Sequence, residues 1–275
     1  LEQRIRKEIE DFAPDIVGIS ASEALLDENG NQIDFEGCRA DCINDFALEY
    51  LSQWDKSKPF FMFISQLEPH HQNNKKSYEG YPPTVERFKD YPIPEDLTFL
   101  KGDYNEHYAN YLSAINRIDY NVKLLVEKLK EMGADSMALN AGGNIVTIGL
   151  KPTGEEWVTG ITNPDKTTFN SLICKVQIGE TALVTSGDYE RYFVSGNKTY
   201  HHIIDPATLM PANYFASVSI FTADSGLADA LSTALFCMSY EEGLALIEKI
   251  GGVEVLWVYH NGTVKATTGV KLVND

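Results

Sequence analysis

Three short blocks of this chain set reactive side chains beside strongly apolar ones. The first is Thr185-Ser186-Gly187-Asp188-Tyr189-Glu190-Arg191-Tyr192-Phe193. The second is His201-His202-Ile203-Ile204-Asp205-Pro206, and the third Ala228-Asp229-Ala230-Leu231-Ser232-Thr233. Such a pattern places polar groups at the edge of a core, where a ligand or metal can meet them. Asp229 and Thr233 are four apart, so on a helix they share one face. A carboxylate and a hydroxyl offered together suit a hard cation such as Mg²⁺, which prefers oxygen and keeps some positions for waters or phosphates. A helix with a solvated polar face has the same spacing, and spacing alone leaves both readings open.

The elements that must position these blocks follow from periodicity. Leu227, Leu231, Ala234, Leu235 and Met238 recur at helical spacing, which predicts an amphipathic helix over residues 225–238, with Asp224 or Ser225 capping its start. The strand Val218–Thr222 leads into it. Ser239-Tyr240-Glu241-Glu242 reads as a capping box opening a second helix that stops at Gly251-Gly252. Asn261-Gly262 between two apolar runs predicts a hairpin. Upstream, Asn140-Ala141-Gly142-Gly143-Asn144 is a tight backbone passage into a strand at 145–149. Further strands are read at 157–161, 171–177 and 181–185. This half is α+β with a mostly antiparallel sheet.

The first half reads as α/β. It has a helix over residues 1–13, a strand at 15–19, a turn at Asn29-Gly30-Asn31 and a helix at 39–54. That second helix is expected to bury Ile43, Phe46, Ala47, Tyr50, Leu51 and Trp54. The continuous apolar run Phe60–Ile64 reads as a buried strand. Residues 72–106 are a surface excursion with a short helix near Val85. Residues 107–132 form the longest helix, its apolar seam running through Tyr108, Tyr111, Ile115, Ile118, Val122, Leu125, Leu129 and Met132 to a stop at Gly133.

With 275 residues, 43% of them hydrophobic, the chain can fill one large domain or two small ones. The net charge of -17 argues against a nucleic-acid backbone or an anionic membrane surface as partner. Four cysteines without a Cys-x-x-Cys pair argue against structural zinc and against a disulfide framework. No apolar run is long enough to span a bilayer, and no signal peptide is visible after Leu1.

Residues 31–133 resemble the sulfatase family through "FEGCRADCINDFALEYL", "KPFFMFISQLEPHHQN" and "YLSAINRIDYNVKLLVEKLKEMG". The resemblance implies that His70, in the Pro-His pair, would face a sulfate. The family's nucleophile motif, Cys or Ser followed by x-Pro-x-Arg, does not follow Cys38 or Cys42. Its metal-binding Asp pair and its Asp-His/Asn-Gly element after the long helix are also missing. A sulfate ester needs a nucleophile and a cation to be attacked, so His70 and His71 read as loop histidines.

Residues 134–275 resemble the C-terminal half of the ApbE family, the FAD:protein FMN transferases, through "NAGGNIVTIG", "TSGDYERYF", "YHHIIDP" and "ADALSTALF" in family order. The resemblance implies cleavage of the FAD pyrophosphate, transfer of FMN to a threonine of an acceptor protein, and departure of AMP. It implies Asp229 and Thr233 as Mg²⁺ ligands and His202 as the histidine near the reacting phosphate. Asp205 would orient His202 or hold the turn before Pro206. It places Ser186, Gly187, Glu190 and Arg191 around the flavin nucleotide. His201 reads as structural or exposed, and Arg191 between two aromatics has stacking as its plainer role.

The family is often periplasmic and membrane-anchored. Its N-terminal half, with a Lys/Gly-rich segment, has no counterpart here, and the sulfatase-like segment stands in its place, meeting the rest at "LKEMGADSMALN". Residues 1–30 carry no assignment. The chain thus reads as a join of two family fragments. The competing functions are flavin transfer, a sulfatase-type hydrolase fragment, and a non-catalytic chimeric scaffold.

Overall fold

A computed structural model describes residues 15–20, 38–71, 77–95, 102–196 and 198–273. The helix expected over residues 1–13 and the turn at Asn29-Gly30-Asn31 lie outside the described residues. The chain divides into two compact units, residues 1–133 and 134–275.

In the first unit, strand β1 (Asp15–Ser20) pairs in parallel with β2 (Phe60–Ser65), Asp15 opposite Phe60 and Ser20 opposite Ser65. Helix α1 (Arg39–Gln53) buries Ala40, Ile43, Ala47 and Leu51, the three-and-four spacing of one helical face. Phe46, expected on that face, is exposed. Helix α2 (Pro82–Phe88) opens on prolines, whose missing N–H groups cost nothing in a first turn. Helix α3 (Tyr104–Glu131) is closed by Gly133 at φ 83°.

Two expectations are corrected here. Strand β2 is not buried throughout: Phe61 and Phe63 are 58% and 60% exposed, so the strand alternates between a covered and an open face. The buried face of α3 also follows the apolar seam only in part, Leu129 being its one buried residue among the described residues. Ser113, Ala114, Asn121 and Leu129 are buried, whereas Tyr111, Ile115 and Val122 are exposed. The reason is polar. Arg117 Nε donates to Asp41 Oδ1 on α1, and Asn121 Nδ2 donates to the same oxygen at 3.1 Å. Thr84 on α2 bonds Ser113 at 2.6 Å. These satisfied groups carry the inward face, which no count of apolar residues would locate.

The second unit is built on a six-stranded sheet, antiparallel throughout, in the order β14-β13-β12-β7-β4-β3. Its strands are β3 (Met137–Ala141), β4 (Asn144–Ile148), β7 (Thr181–Gly187), β12 (Ser217–Thr222), β13 (Glu254–Val258) and β14 (Val264–Ala266). Alternation along the strands sorts the core into two layers. Val184, Val218, Ile220, Val255 and Trp257 pack against Leu231, Leu235 and Phe236 of α4 (Ser225–Phe236) and Ile247 of α5 (Tyr240–Ile250). On the opposite face, Leu183, Phe221, Leu256 and Val258 pack on Ile161, Val176 and Ile178. Those three belong to β5 (Trp157–Thr162) and β6 (Leu172–Ile178), which form a second sheet in the order β15-β6-β5, with β15 at Lys271–Val273.

The hairpin expected at Asn261-Gly262 forms, and the tight passage expected at Gly142-Gly143 closes a second one whose first strand, β3, is additional to the sequence reading. Gly142 and Gly143, both at positive φ, join β3 to β4, and Gly262 at φ 80° sits between β13 and β14. Two short ribbons are additional to the sequence reading. One pairs β8 (Tyr192–Ser195) with β9 (Lys198–His201); the other pairs β10 (Ile204–Asp205) with β11 (Met210–Pro211).

Candidate functional site

Helix α4 starts where β12 ends, and Asp224 caps it by accepting the Leu227 N–H at 2.9 Å. Ala228, Leu231, Ser232, Leu235 and Phe236 turn inward, which leaves Asp229 and Thr233 together on the exposed side.

Strand β7 delivers Ser186 to the same place. Its Oγ lies 2.8 Å from Ser232 Oγ and 3.2 Å from Thr233 Oγ1. Ser232 Oγ in turn donates to the Asp229 carbonyl at 2.9 Å. Each hydroxyl has one proton, and a carbonyl can only accept. The order is therefore fixed: Thr233 donates to Ser186, Ser186 to Ser232, and Ser232 to the backbone. This leaves the lone pairs of Thr233 Oγ1 unused. Asp229 is steadied from β4, where Asn144 Nδ2 donates to Oδ1 at 3.3 Å, and Oδ2 has no hydrogen-bond partner among the described residues. The donor set fits an Mg²⁺ ion held on one side by protein oxygen and on the other by phosphate or water. Among the described residues no group of three or more His, Cys, Asp or Glu could form a closed cage.

The other candidate residues run from Gly187, the last residue of β7, into the segment that follows it. Gly187 is buried, and a Cβ there would stand 2.7 Å from the Tyr189 ring, so the close approach of that ring requires glycine. Burial pushes the Tyr189 phenol up. Asp188 Oδ2 and His260 Nε2 are 2.9 Å apart, tying this turn to the β13–β14 hairpin. Glu190 and Arg191 are exposed.

The neighbouring histidines have opposite tautomers. His201 is buried: its Nε2 donates to the Ala212 carbonyl at 2.8 Å, and its Nδ1 accepts the Ile203 N–H at 3.3 Å. It is a structural residue with no nitrogen to spare. His202 is exposed and hangs on one carbonyl, that of Arg191, which takes its backbone N–H at 3.2 Å and faces Nδ1 at 3.3 Å. A proton on Nδ1 leaves Nε2 free to accept one. Asp205 is buried and accepts the Ala207 N–H at 2.8 Å, while its carbonyl takes Leu209 N–H at 2.8 Å. These are turn-holding bonds, and none reaches His202.

The structure thus gathers the candidates into two groups. Asp229, Thr233 and Ser186 form one; His202 and Arg191 form the other. No hydrogen bond joins the groups among the described residues. Asn144, Ser232 and the Asp188–His260 pair were not singled out in the sequence. Ser232 was findable, three residues after Asp229 on the same helix. Asn144 and His260 come from hairpins 85 and 72 residues away from their partners, a separation that carries no local signal.

A model of the ApbE family matches residues 112–257, and a model of the sulfatase family matches residues 12–139. The FAD:protein FMN transferase of Treponema pallidum (strain Nichols) is 38% identical over 156 residues, covering 53% of this chain and 42% of that protein. That of Klebsiella pneumoniae (strain 342) is 33% identical over 134 residues, 48% of this chain and 40% of that protein. The chain spans about two fifths of the length of these relatives. The crystal structure of the ApbE protein of Thermotoga maritima aligns over 84% of this chain and 73% of that one, at 23% identity and a TM-score of 0.48. The apo flavinyl transferase ApbE of Pseudomonas stutzeri aligns over 54% and 45%, at 30% identity and a TM-score of 0.41. The match over more than half its residues, a range that includes Ser186, Asp229 and Thr233, makes this chain a member of the ApbE family.

Proposed function

We propose that the second unit carries a phosphate-facing site for transfer of FMN from FAD to a threonine of an acceptor protein. The observation that carries this reading is the ordered hydroxyl chain from Thr233 through Ser186 to Ser232, which turns free Thr233 lone pairs to the same surface as the Asp229 carboxylate. Mg²⁺ held there would draw charge from the pyrophosphate oxygens. Asp229 and Thr233 would anchor and orient that edge of the substrate. His202 Nε2 would take the proton of the attacking threonine hydroxyl. The threonine Oγ–phosphorus bond forms as the bond from that phosphorus to the bridging oxygen breaks, and AMP leaves with that oxygen. Gly187, Glu190 and Arg191 would line the nucleotide, and Asp205 would hold the turn that carries His202. In this reading residues 31–133 form a separate sulfatase-like segment joined to the family's C-terminal half.

FAD titration followed by flavin fluorescence, with and without Mg²⁺, tests the reading. Saturable binding strengthened by Mg²⁺ and weakened in Asp229→Ala is expected. A chain that leaves FAD fluorescence unchanged at millimolar Mg²⁺ is a non-catalytic scaffold, and the proposal fails.

A further inference from the structure

The ribbon of β8 and β9 has properties that the nucleotide chemistry does not use. Among the described residues each strand pairs only with the other, so both outer edges are open. All four residues of β8 are exposed, although Tyr192, Phe193 and Val194 are large and apolar. Phe193 stacks on Tyr200 across the ribbon at 5.3 Å, which stiffens it. An open apolar edge of this kind is a template for a further strand. Lys198 at the start of β9 is exposed, its Nζ lies over the Tyr200 ring at 5.4 Å, and it has no acidic partner among the described residues, although the whole chain carries a charge of -17. The ribbon also runs directly into the candidate site, since the Arg191 carbonyl holds both the backbone N–H and the ring of His202.

Resting on the flavin-transfer reading, we infer that the outer edge of β8 is the docking surface for the acceptor protein. The occupant is an extended, threonine-bearing segment with acidic side chains, which adds as a third strand. Because the Arg191 carbonyl points inward to His202, strand alternation turns the backbone groups of Tyr192 and Val194 outward. A segment paired there is led along about 14 Å of strand toward His202. Main-chain bonds would hold it, the apolar side chains of β8 would cover its alternate residues, and Lys198 would select an acidic flank. Four residues of pairing make a weak, readily exchanged contact, as a transferase needs if it is to release its product.

The test uses the whole chain and a fluorescein-labelled twelve-residue peptide of alternating valine and threonine with an aspartate near each end. Fluorescence anisotropy should show saturable binding. Binding should weaken about tenfold when lysines replace the aspartates, and disappear when alternate backbone nitrogens are methylated. Val194→Lys and Lys198→Glu should each weaken it about tenfold while FAD binding stays unchanged. Peptide binding that ignores N-methylation or both substitutions overturns the inference, as does FAD binding without any peptide binding. Sedimentation velocity supplies one more arm. A wild-type dimer that Val194→Lys converts to monomer would show a second copy on this edge and overturn the acceptor assignment. Loss of FAD binding in the wild type would instead strike the flavin-transfer reading.

Discussion

Replacing Asn144 separates a positioned metal ligand from a solvated carboxylate. Asn144 Nδ2 meets Asp229 Oδ1 at 3.3 Å, the long end of the hydrogen-bond range, at the surface. Bonds to charged groups are worth roughly 1.5–3 kcal/mol, and this one belongs at the bottom of that span. Loss of a group that orients a ligand costs about 10–100-fold in metal affinity. Asn144→Ala should therefore weaken the cation about tenfold, close to 1.4 kcal/mol. Asp229→Ala removes the carboxylate itself and should abolish saturable binding. Asn144→Asp should act in the opposite direction, since a second carboxylate adds charge beside the first. Mn²⁺ in place of Mg²⁺ makes all three readable by electron paramagnetic resonance, with free Mn²⁺ counted directly and no turnover needed. If Asp229→Ala binds Mn²⁺ with wild-type affinity, the site is elsewhere. If Asp229→Ala loses binding but Asn144→Ala does not weaken it, the positioning argument is wrong.

Other expectations follow from named contacts. Ser239 and Glu242 form a reciprocal cap, with Ser239 N–H donating to Glu242 Oε2 at 3.0 Å and Glu242 N–H to Ser239 Oγ at 3.3 Å. Ser239→Ala should cost about 1 kcal/mol in urea denaturation. The Ser239 hydroxyl and N–H hold the Glu242 carboxyl below its ordinary value. Its stabilisation is full above the unfolded carboxylate range and fades as pH falls through the folded value, so Ser239→Ala should flatten the acid side of the stability profile. Asp41→Ala strips the partner from Arg117 and Asn121 at a largely covered position and should destabilise the first unit by about 1–3 kcal/mol, read by chemical denaturation. No turnover of an aryl sulfate is expected. Burial pushes the Cys38 and Cys42 thiols up, away from thiolate. Turnover abolished by replacing either cysteine would show that the missing motif is no bar.

What could be read in advance was whatever is local. The cap at Asp224, the box at Ser239, the turn at Asn261-Gly262 and the apolar period of α4 are each set within a few residues, and each stands in the structure. The ribbons leave no readable pattern because two to four residues of strand carry too little alternation to count. The inward face of α3 departs from the apolar period because Asn121 is buried and Arg117 half-buried through their bonds to Asp41, 80 and 76 positions away. At the site, Asp229 and Thr233 were legible as a helical pair, whereas the direction of the hydroxyl protons required Ser186 to arrive from another strand.

That arrival depends on strand alignment. In the register of β7 against β12, Ser186 stands opposite Val218 and shares the helix-facing side with Val184, while Thr185 faces away and bonds Ser219 at 2.8 Å. A slip of one residue would turn Ser186 to the far side and present Thr185 or Gly187 to the helix. Thr233 would then lose the acceptor that orders its proton. A cation that drew on Thr233, as proposed, would thus distinguish the correctly zipped sheet from its misaligned neighbours, although neither β7 nor β12 would supply it with a ligand. If the proposed cation binds there, its affinity would report the alignment of the sheet, and a refolding assay that follows Mn²⁺ uptake would time that alignment rather than the formation of the helix.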